Sequence, residues 1–189
     1  MYQKYHTDAL VLATRESGEA DKNIALYTRD FGLVWARASA IRSESSKMRY
    51  ALQLFARSNV SLVKGKSGWR AAGATALRAA STKRSRLATF ARIAELTLRL
   101  VRGEDANPYL FDALAEAQDA LAAGVAAPET IEIVCVARTL YALGYLSAEA
   151  LGSTLLTHTA YAMEHINEAE SMREKLLSSI NKAIAETQL

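Results

Sequence analysis

The 189-residue sequence contains a single cysteine, Cys135, and only two prolines. One cysteine excludes an internal disulfide and is typical of a protein from a reducing compartment. No apolar run approaches the roughly 18 residues of a membrane-spanning helix, and the N-terminus lacks the apolar core of a secretory signal. We therefore expect a cytoplasmic protein without membrane association. Cys135 lies on an apolar helix face, where a small core residue is expected rather than a nucleophile.

The sequence also lacks the motifs of common enzyme classes. It has neither a phosphate-binding loop nor a dinucleotide-binding glycine pattern. Its histidines are His6, His158 and His165, and the last two are predicted about two turns apart on one helix, too far for the usual metal-binding pair. Clustered carboxylates, which a metal-dependent nuclease needs, are missing from the N-terminal half. We expect no enzymatic activity, no metal and no cofactor.

Charge is divided unevenly along the chain, although the net charge is only +3. Residues 1–102 hold 19 lysines and arginines against 7 carboxylates, whereas residues 103–189 hold 4 against 13. A basic half of this kind favours contact with a polyanion, and the acidic half would remain free for protein contacts. The alternative is a chance asymmetry of solvated surfaces.

The first 78 residues show the alternating pattern of β-strands. Gly32 and the run Gly65–Gly68 provide turns between paired strands, and a polar, basic loop over 40–50 separates the third strand from the fourth. This order predicts a small closed or partly open barrel. The predicted strands are 9–13, 22–28, 33–39, 51–63 and 69–75, with a bend in the fourth near Ser58.

From about Ser81 the apolar period changes to that of helices. Glycine, proline and capping residues separate the predicted helices, which cover about 81–102, 108–123, 128–143, a short helix after Ser147, and about 167–187. The sequence thus predicts an α+β protein with a barrel domain over 1–78 and an all-α helical domain over 79–189.

Characteristic segments recur in both predicted parts of the chain. They are 8–12, 17–21, 26–32 and 42–55 in the barrel, and 90–96, 107–114 and Tyr141-Ala142-Leu143-Gly144-Tyr145 in the helices. Together these segments resemble bacterial RecO proteins, specifically over residues 8–76 and more loosely over 81–146.

The resemblance implies an OB-fold, five-stranded β-barrel followed by a helical domain. It further implies binding to single- and double-stranded DNA, annealing of complementary strands, and work at the nucleoid. The expected protein partners are RecR and the acidic C-terminal tail of single-stranded-DNA-binding protein (SSB). Two features depart from the family: one cysteine cannot form the zinc module that many relatives carry, and Ser39–Glu44 replaces a glycine followed by a dense basic cluster.

Nucleic-acid binding needs cations along a groove and flat side chains for base stacking. Trp35 and Arg37 are predicted to face outward together if Val34, Ala36 and Ala38 fill the barrel; alternatively, Trp35 packs beneath the helical domain. Trp69 beside Arg70 has the same ambiguity. The other phosphate-contact candidates are Arg42, Lys47, Arg49, Arg57, Lys64 and Lys66 in the barrel, and Lys83, Arg84 and Arg86 at the first helix, where cations oppose the helix dipole.

A partner-binding site is predicted at Arg138 and Tyr141 in the acidic half. An acidic tail with an apolar end needs an apolar pocket with a cation at its mouth. Arg138 lies among Val134, Cys135 and Tyr141 in the sequence pattern. The alternative is a structural role in which Arg138 pairs with Glu132 or another carboxylate.

Overall fold

The computed structural model describes residues 3–44 and 46–187. They form two compact units, the first running to Ala80 and including Arg102–Pro108, the second comprising Ser81–Val101 and the chain from Tyr109 onward. The fold is α+β, as predicted, with five strands followed by six helices among the described residues.

The first unit is a closed five-stranded barrel in the order β1-β2-β3-β5-β4. All strand pairs are antiparallel except β3 with β5, which pair in parallel and close the barrel. The strands are β1 (Lys4–Ser17), β2 (Asp21–Thr28), β3 (Gly32–Ala38), β4 (Arg57–Gly65) and β5 (Gly68–Arg78).

Alternation along the strands determines which residues fill this barrel. On β3, Val34, Ala36 and Ala38 are buried in the barrel core, while Trp35 and Arg37 point away from it. Successive side chains of a strand point to opposite faces, so this division follows directly from the sequence. One end of the core holds an aromatic cluster in which the rings of Tyr5, Phe31 and Trp69 lie 5.2–5.6 Å apart.

The predicted fourth strand, 51–63, begins too early. Residues 51–55 form turns, and Phe55 has a φ of 63°, which a continuous strand does not tolerate. Ala51 and Leu52 are buried without belonging to a strand, and Leu52 is part of the barrel core. The apolar character of this segment therefore reflects burial in the barrel unit rather than strand pairing.

The second unit consists of helices arranged around α3. They are α1 (Arg84–Leu100), α2 (Pro108–Ala123), α3 (Pro128–Ala142), α4 (Ala148–Leu151), α5 (Met163–Ser171) and α6 (Arg173–Glu186). Helix α3 contacts α1, α5 and α6. Ser147 caps α4 by accepting a hydrogen bond from the Ala150 backbone N–H, as predicted. None of the helices in the described ranges is long and apolar enough to span a bilayer.

The prediction of one last helix over 167–187 is wrong in two respects: the helical segment begins earlier, and it consists of two helices. Helix α5 already begins at Met163, and Met172, with a φ of −111°, separates it from α6. Both helices bury residues at helical spacing, including Ile166 and Ala169 on the first and Leu176 and Ile180 on the second. Because both helices bury apolar residues at the same spacing, the sequence pattern shows no interruption where the first helix ends.

Candidate nucleic-acid interface

Trp35 lies on the outward face of β3 and is 41% exposed. The Arg15 guanidinium of β1 lies over its ring at 4.8 Å from the centroid. Trp35 pairs across the sheet with Ala25, whose small side chain leaves the ring accessible. An exposed indole beside a guanidinium provides both a stacking surface and a cation.

Cations continue from Trp35 across the barrel. Residues Arg15 and Asn23 are paired on β1 and β2, Asn23 pairs with Arg37 on β3, and Arg37 pairs with Arg70 on β5. Strand pairing thus aligns three arginines in one row on the outer surface beside the tryptophan. We call Arg15, Trp35, Arg37 and Arg70 the outer platform. Arg15 was missed by the sequence analysis because only the register of β1 with β2 brings it to this row.

Asp21 holds Arg37 in this row through two contacts. Its Oδ2 accepts a hydrogen bond from Arg37 Nε at 2.9 Å and lies 2.7 Å from Arg37 Nη2. Its Oδ1 accepts the Ala40 backbone N–H at 2.8 Å. That bond stabilises Ala40 at a φ of 51°, a left-handed conformation that residues other than glycine rarely adopt.

These hydrogen bonds, first from Ala40 and then from Arg37, hold the pKa of Asp21 below its ordinary value. A carboxyl whose pKa is lowered in the folded state stabilises the protein above its unfolded pKa, and this contribution is lost as pH falls through the folded pKa. We expect the parent protein to lose more stability than Asp21→Asn as pH falls from about 5 towards 3. Urea unfolding at several pH values measures this, and parallel stability curves would contradict it.

The remaining barrel cations differ in their surroundings. Lys47, Arg49 and Lys66 are exposed, and Arg57 is half-buried. Arg42 lies 3.5 Å from Glu16, and Lys64 lies 2.7 Å from Glu104, whose pKa is lowered by that contact. Arg42 and Arg49 line one cavity with Lys22, and Lys66 and Arg70 line another at the β4–β5 turn.

Trp69 does not belong to an exposed surface. It is only 6% exposed, and its ring packs in the barrel core against Tyr5 and Phe31. Its partner across the parallel pair, Ala36, is also buried, so register places both side chains inside. Base stacking on this ring would require the barrel to open, so Trp69 is not part of the interface.

The three basic residues at the first helix belong to the other compact unit. Lys83 and Arg84 are exposed at the helix start. Arg86 instead donates a hydrogen bond to the Ala122 carbonyl at 3.0 Å, near Gly124 at the end of α2. The expectation that Arg86 serves something outside the protein is therefore corrected, because it satisfies a carbonyl at a helix C-terminus.

The prediction that Arg138 is accessible to a protein partner is wrong. Arg138 is fully buried, and Tyr141 is half-buried with its ring against Tyr109 at 5.5 Å. The guanidinium donates to the carbonyls of Leu155, Thr159 and Ala160. Arg138 therefore has the structural role given as the alternative, but through backbone carbonyls; Glu132 instead accepts a hydrogen bond from Arg92 Nε at 2.7 Å.

The remaining reactive side chains occupy structural positions. Cys135 is fully buried, and burial raises the pKa of its thiol to about 12, as expected for a core residue. His158 precedes α5 instead of sharing a helix with His165, so their rings stack at 5.2 Å. Among the described residues, no group of three or more potential ligands could hold a metal ion.

The closed barrel with a long third connection and an aromatic-cationic outer face defines an OB-fold protein, here combined with a helical unit. Residues 1–71 match the model of the recombination protein O N-terminal domain, and residues 81–148 match that of its C-terminal domain. The chain belongs to the RecO family.

Individual relatives carry the name DNA repair protein RecO. The protein of Desulfitobacterium hafniense is 43% identical over 63 residues, covering 33% of this chain and 23% of the relative. That of Dehalococcoides mccartyi is 33% identical over 113 residues, covering 58% and 45%. That of Myxococcus xanthus is 31% identical over 133 residues, covering 68% and 54%. The matched part of this chain thus spans about half or less of these relatives.

Proposed function

We propose that this chain is a DNA-binding recombination mediator that holds single-stranded DNA on the outer platform. The observation that carries the proposal is the exposed Trp35 ring, with Arg15 over it and Arg37 and Arg70 aligned beside it by strand register. OB-folds bind oligonucleotides on the face of strands 2 and 3, and Trp35 and Arg37 lie on that face. Bases would stack on the indole while the guanidinium groups contact phosphates.

Family membership supports the proposed cellular role. In this proposal the protein binds without turnover, anneals complementary strands, and helps load recombinase onto SSB-coated DNA in repair. Double-stranded DNA would be held through phosphate contacts alone, because the exposed cations do not require unstacked bases. RecR and the acidic tail of SSB are the proposed protein partners.

A surface cleft of the helical unit suits the tail better than buried Arg138 does. This cleft, of about 280 Å³, has Tyr145, Leu146 and Ala150 on its lining, together with Lys182 and Glu186. An apolar wall with a lysine nearby matches a peptide that ends in hydrophobic residues and carries acidic ones.

Removing the Trp35 ring tests the stacking surface. We expect Trp35→Ala to weaken binding of a single-stranded oligonucleotide by about 5- to 100-fold, since stacking contributes ~1–3 kcal/mol per base. The melting temperature should change little because the ring is substantially exposed. Fluorescence anisotropy and thermal denaturation measure the two effects.

Leu77→Ala is the matched control for Trp35→Ala, because Leu77 is an exposed apolar residue of β5 outside the platform. It should leave affinity unchanged. Early melting of Trp35→Ala with normal binding would mean that the ring is structural and would contradict the proposal.

The alternative to a mediator is a generic OB-fold module that binds RNA or DNA without annealing. Salt dependence tests the phosphate binding that both share, whereas annealing separates them. With three to four phosphates neutralised, the logarithm of the binding constant should fall with the logarithm of salt concentration at a slope of about −2 to −3. A salt-independent affinity would contradict phosphate binding.

The mediator should accelerate annealing of SSB-coated strands, and this effect should diminish with SSB lacking its acidic tail. DNA binding without any annealing would favour the generic module.

A further inference from the structure

A second basic surface lies on the other face of the β1–β2 hairpin. Thr14 and Glu16 of β1 line a cavity of about 480 Å³, whereas Arg15 between them points to the opposite side and lies over Trp35. Successive strand residues face opposite ways, so this cavity and the outer platform are separated by the hairpin itself. We call it the hairpin cavity.

Three cations line the hairpin cavity against one carboxylate. They are Lys22 of β2 and Arg42 and Arg49 of the connection between β3 and β4. Glu16 is the carboxylate, and it lies 3.5 Å from Arg42 with both side chains well exposed. An exposed ion pair at this distance is weak, so an anionic ligand can replace it.

The other two cations lack a carboxylate partner. Within residues 3–44 and 46–187, neither Lys22 nor Arg49 forms an ion pair. Three like charges around one concavity repel each other, and a bound anion relieves that repulsion. Guanidinium groups match phosphate oxygens in geometry as well as charge.

The cavity also offers surfaces for a base. Leu54 is 42% exposed at its wall, and Ile41 and Leu52 add buried apolar surface. Gln53 and Thr14 supply amide and hydroxyl groups that can bond to a base edge. The volume lies within the range of about 300–1,000 Å³ that is typical of small-ligand pockets.

We propose that the hairpin cavity binds one nucleotide unit of a DNA single strand. Its phosphate contacts Arg42, Arg49 and Lys22, and its base lies against Leu54. This inference rests on the proposed function and extends it, because it gives the barrel two nucleic-acid contacts on opposite faces of one hairpin. A strand held at both would bend around the hairpin tip, between Ser17 and Asp21.

Single charge removals on the barrel test the cavity. We expect Arg49→Ala to weaken binding of an oligo(dT) strand about tenfold, the loss of one charge-assisted phosphate contact. Lys4→Ala is the matched control, since Lys4 is an exposed cation of β1 that lines neither the cavity nor the outer platform. It should change affinity less than twofold. Equal losses in the two variants would mean diffuse electrostatic attraction and would overturn the proposal.

Glu16→Gln provides a test of opposite sign. Removing the competing carboxylate should strengthen oligo(dT) binding by about threefold, an effect expected of one exposed charge pair. Arg49→Lys should restore part of the affinity lost in Arg49→Ala. Unchanged or weaker binding in Glu16→Gln would count against the cavity as an anion site.

Photocrosslinking locates the bound strand directly. An oligo(dT) strand containing 4-thiothymidine should crosslink to peptides within 49–54 as well as to the Trp35 peptide. Crosslinks at Trp35 alone, with full affinity in Arg49→Ala, would overturn this inference and leave the proposed function standing. Failure of the parent chain to bind any oligonucleotide would overturn the proposed function itself.

Titration with free 5′-dTMP distinguishes a DNA strand from a free nucleotide as the ligand of the cavity. Tight binding of dTMP without crosslinks from the strand would overturn the assignment to a strand.

Discussion

Replacing Arg138 with methionine is expected to destabilise the helical unit by about 3–5 kcal/mol, the largest effect of any single change considered. The guanidinium donates to the carbonyl oxygens of Leu155 at 3.2 Å, Thr159 at 2.7 Å and Ala160 at 3.0 Å. It also lies 4.8 Å from the centre of the Tyr161 ring. Methionine fills similar space but leaves these carbonyls without donors.

The cost is large because the segment that Arg138 holds is irregular. Residues 152–162 connect α4 to α5 and form neither helix nor strand. An unsatisfied buried carbonyl costs about 1–3 kcal/mol, and the segment also carries Leu155 and Leu156 into the core. Loss of Arg138 is therefore expected to loosen the attachment of α5 and α6 as well.

Urea unfolding followed by circular dichroism measures this loss. Arg138→Lys should be intermediate, because an ammonium keeps the charge but does not reproduce the fork of a guanidinium. Arg173→Met is the control: its ion pair with Glu170 is exposed at 3.7 Å and should contribute less than about 1 kcal/mol. If Arg138→Met unfolds at the same urea concentration as the parent, the hydrogen-bond account is wrong.

Gly32→Ala is the second large effect, with an expected loss of about 3 kcal/mol in the barrel unit. Gly32 begins β3 with a φ of 63°, where a side chain is strained. A Cβ at this position would also overlap the backbone of Asp105, in the segment Arg102–Pro108 that belongs to the barrel unit. The Asp105 carbonyl and the β2–β3 turn would both have to move.

Gly18→Ala separates the two causes. Gly18 has a φ of 71°, but a Cβ there meets no atom within 4 Å. It should therefore lose only the conformational part, about 1–2 kcal/mol. Denaturation followed by tryptophan fluorescence reports on the barrel, since Trp69 lies in its core beside Phe31. Equal losses at the two glycines would show that Asp105 does not restrict Gly32.

The contrast between the two tryptophans shows what strand patterns can and cannot resolve. The alternation Val34–Trp35–Ala36 indicated an outward Trp35, and the structure has it so. Trp69 looked similar beside Arg70, yet only the parallel pairing of β3 with β5 places it opposite Ala36, inside the barrel. A parallel pair between distant strands leaves no local trace in the sequence.

Charged residues were harder to assign than apolar ones. Arg86 was predicted to contact DNA because cations oppose the dipole at a helix start, and Arg138 was predicted to bind a partner because it lies among apolar residues. Both instead donate to backbone carbonyls, of Ala122 and of the segment after α4. Carbonyl groups exist at every residue, so no sequence pattern identifies the ones that lack a partner.

The amino-acid sequence by itself determined the α+β fold, the alternation that turns Trp35 away from the barrel core and the concentration of positive charge in the N-terminal half. Periods of two and 3.6 residues and the charge count are local properties that a chain carries into any fold. Tertiary structure alone decided which cations share a surface. Barrel closure aligned Arg15, Arg37 and Arg70, and hairpin pairing placed Lys22 beside the loop of Arg42 and Arg49. Such groupings depend on register between strands, which is set by the whole barrel core rather than by neighbouring residues.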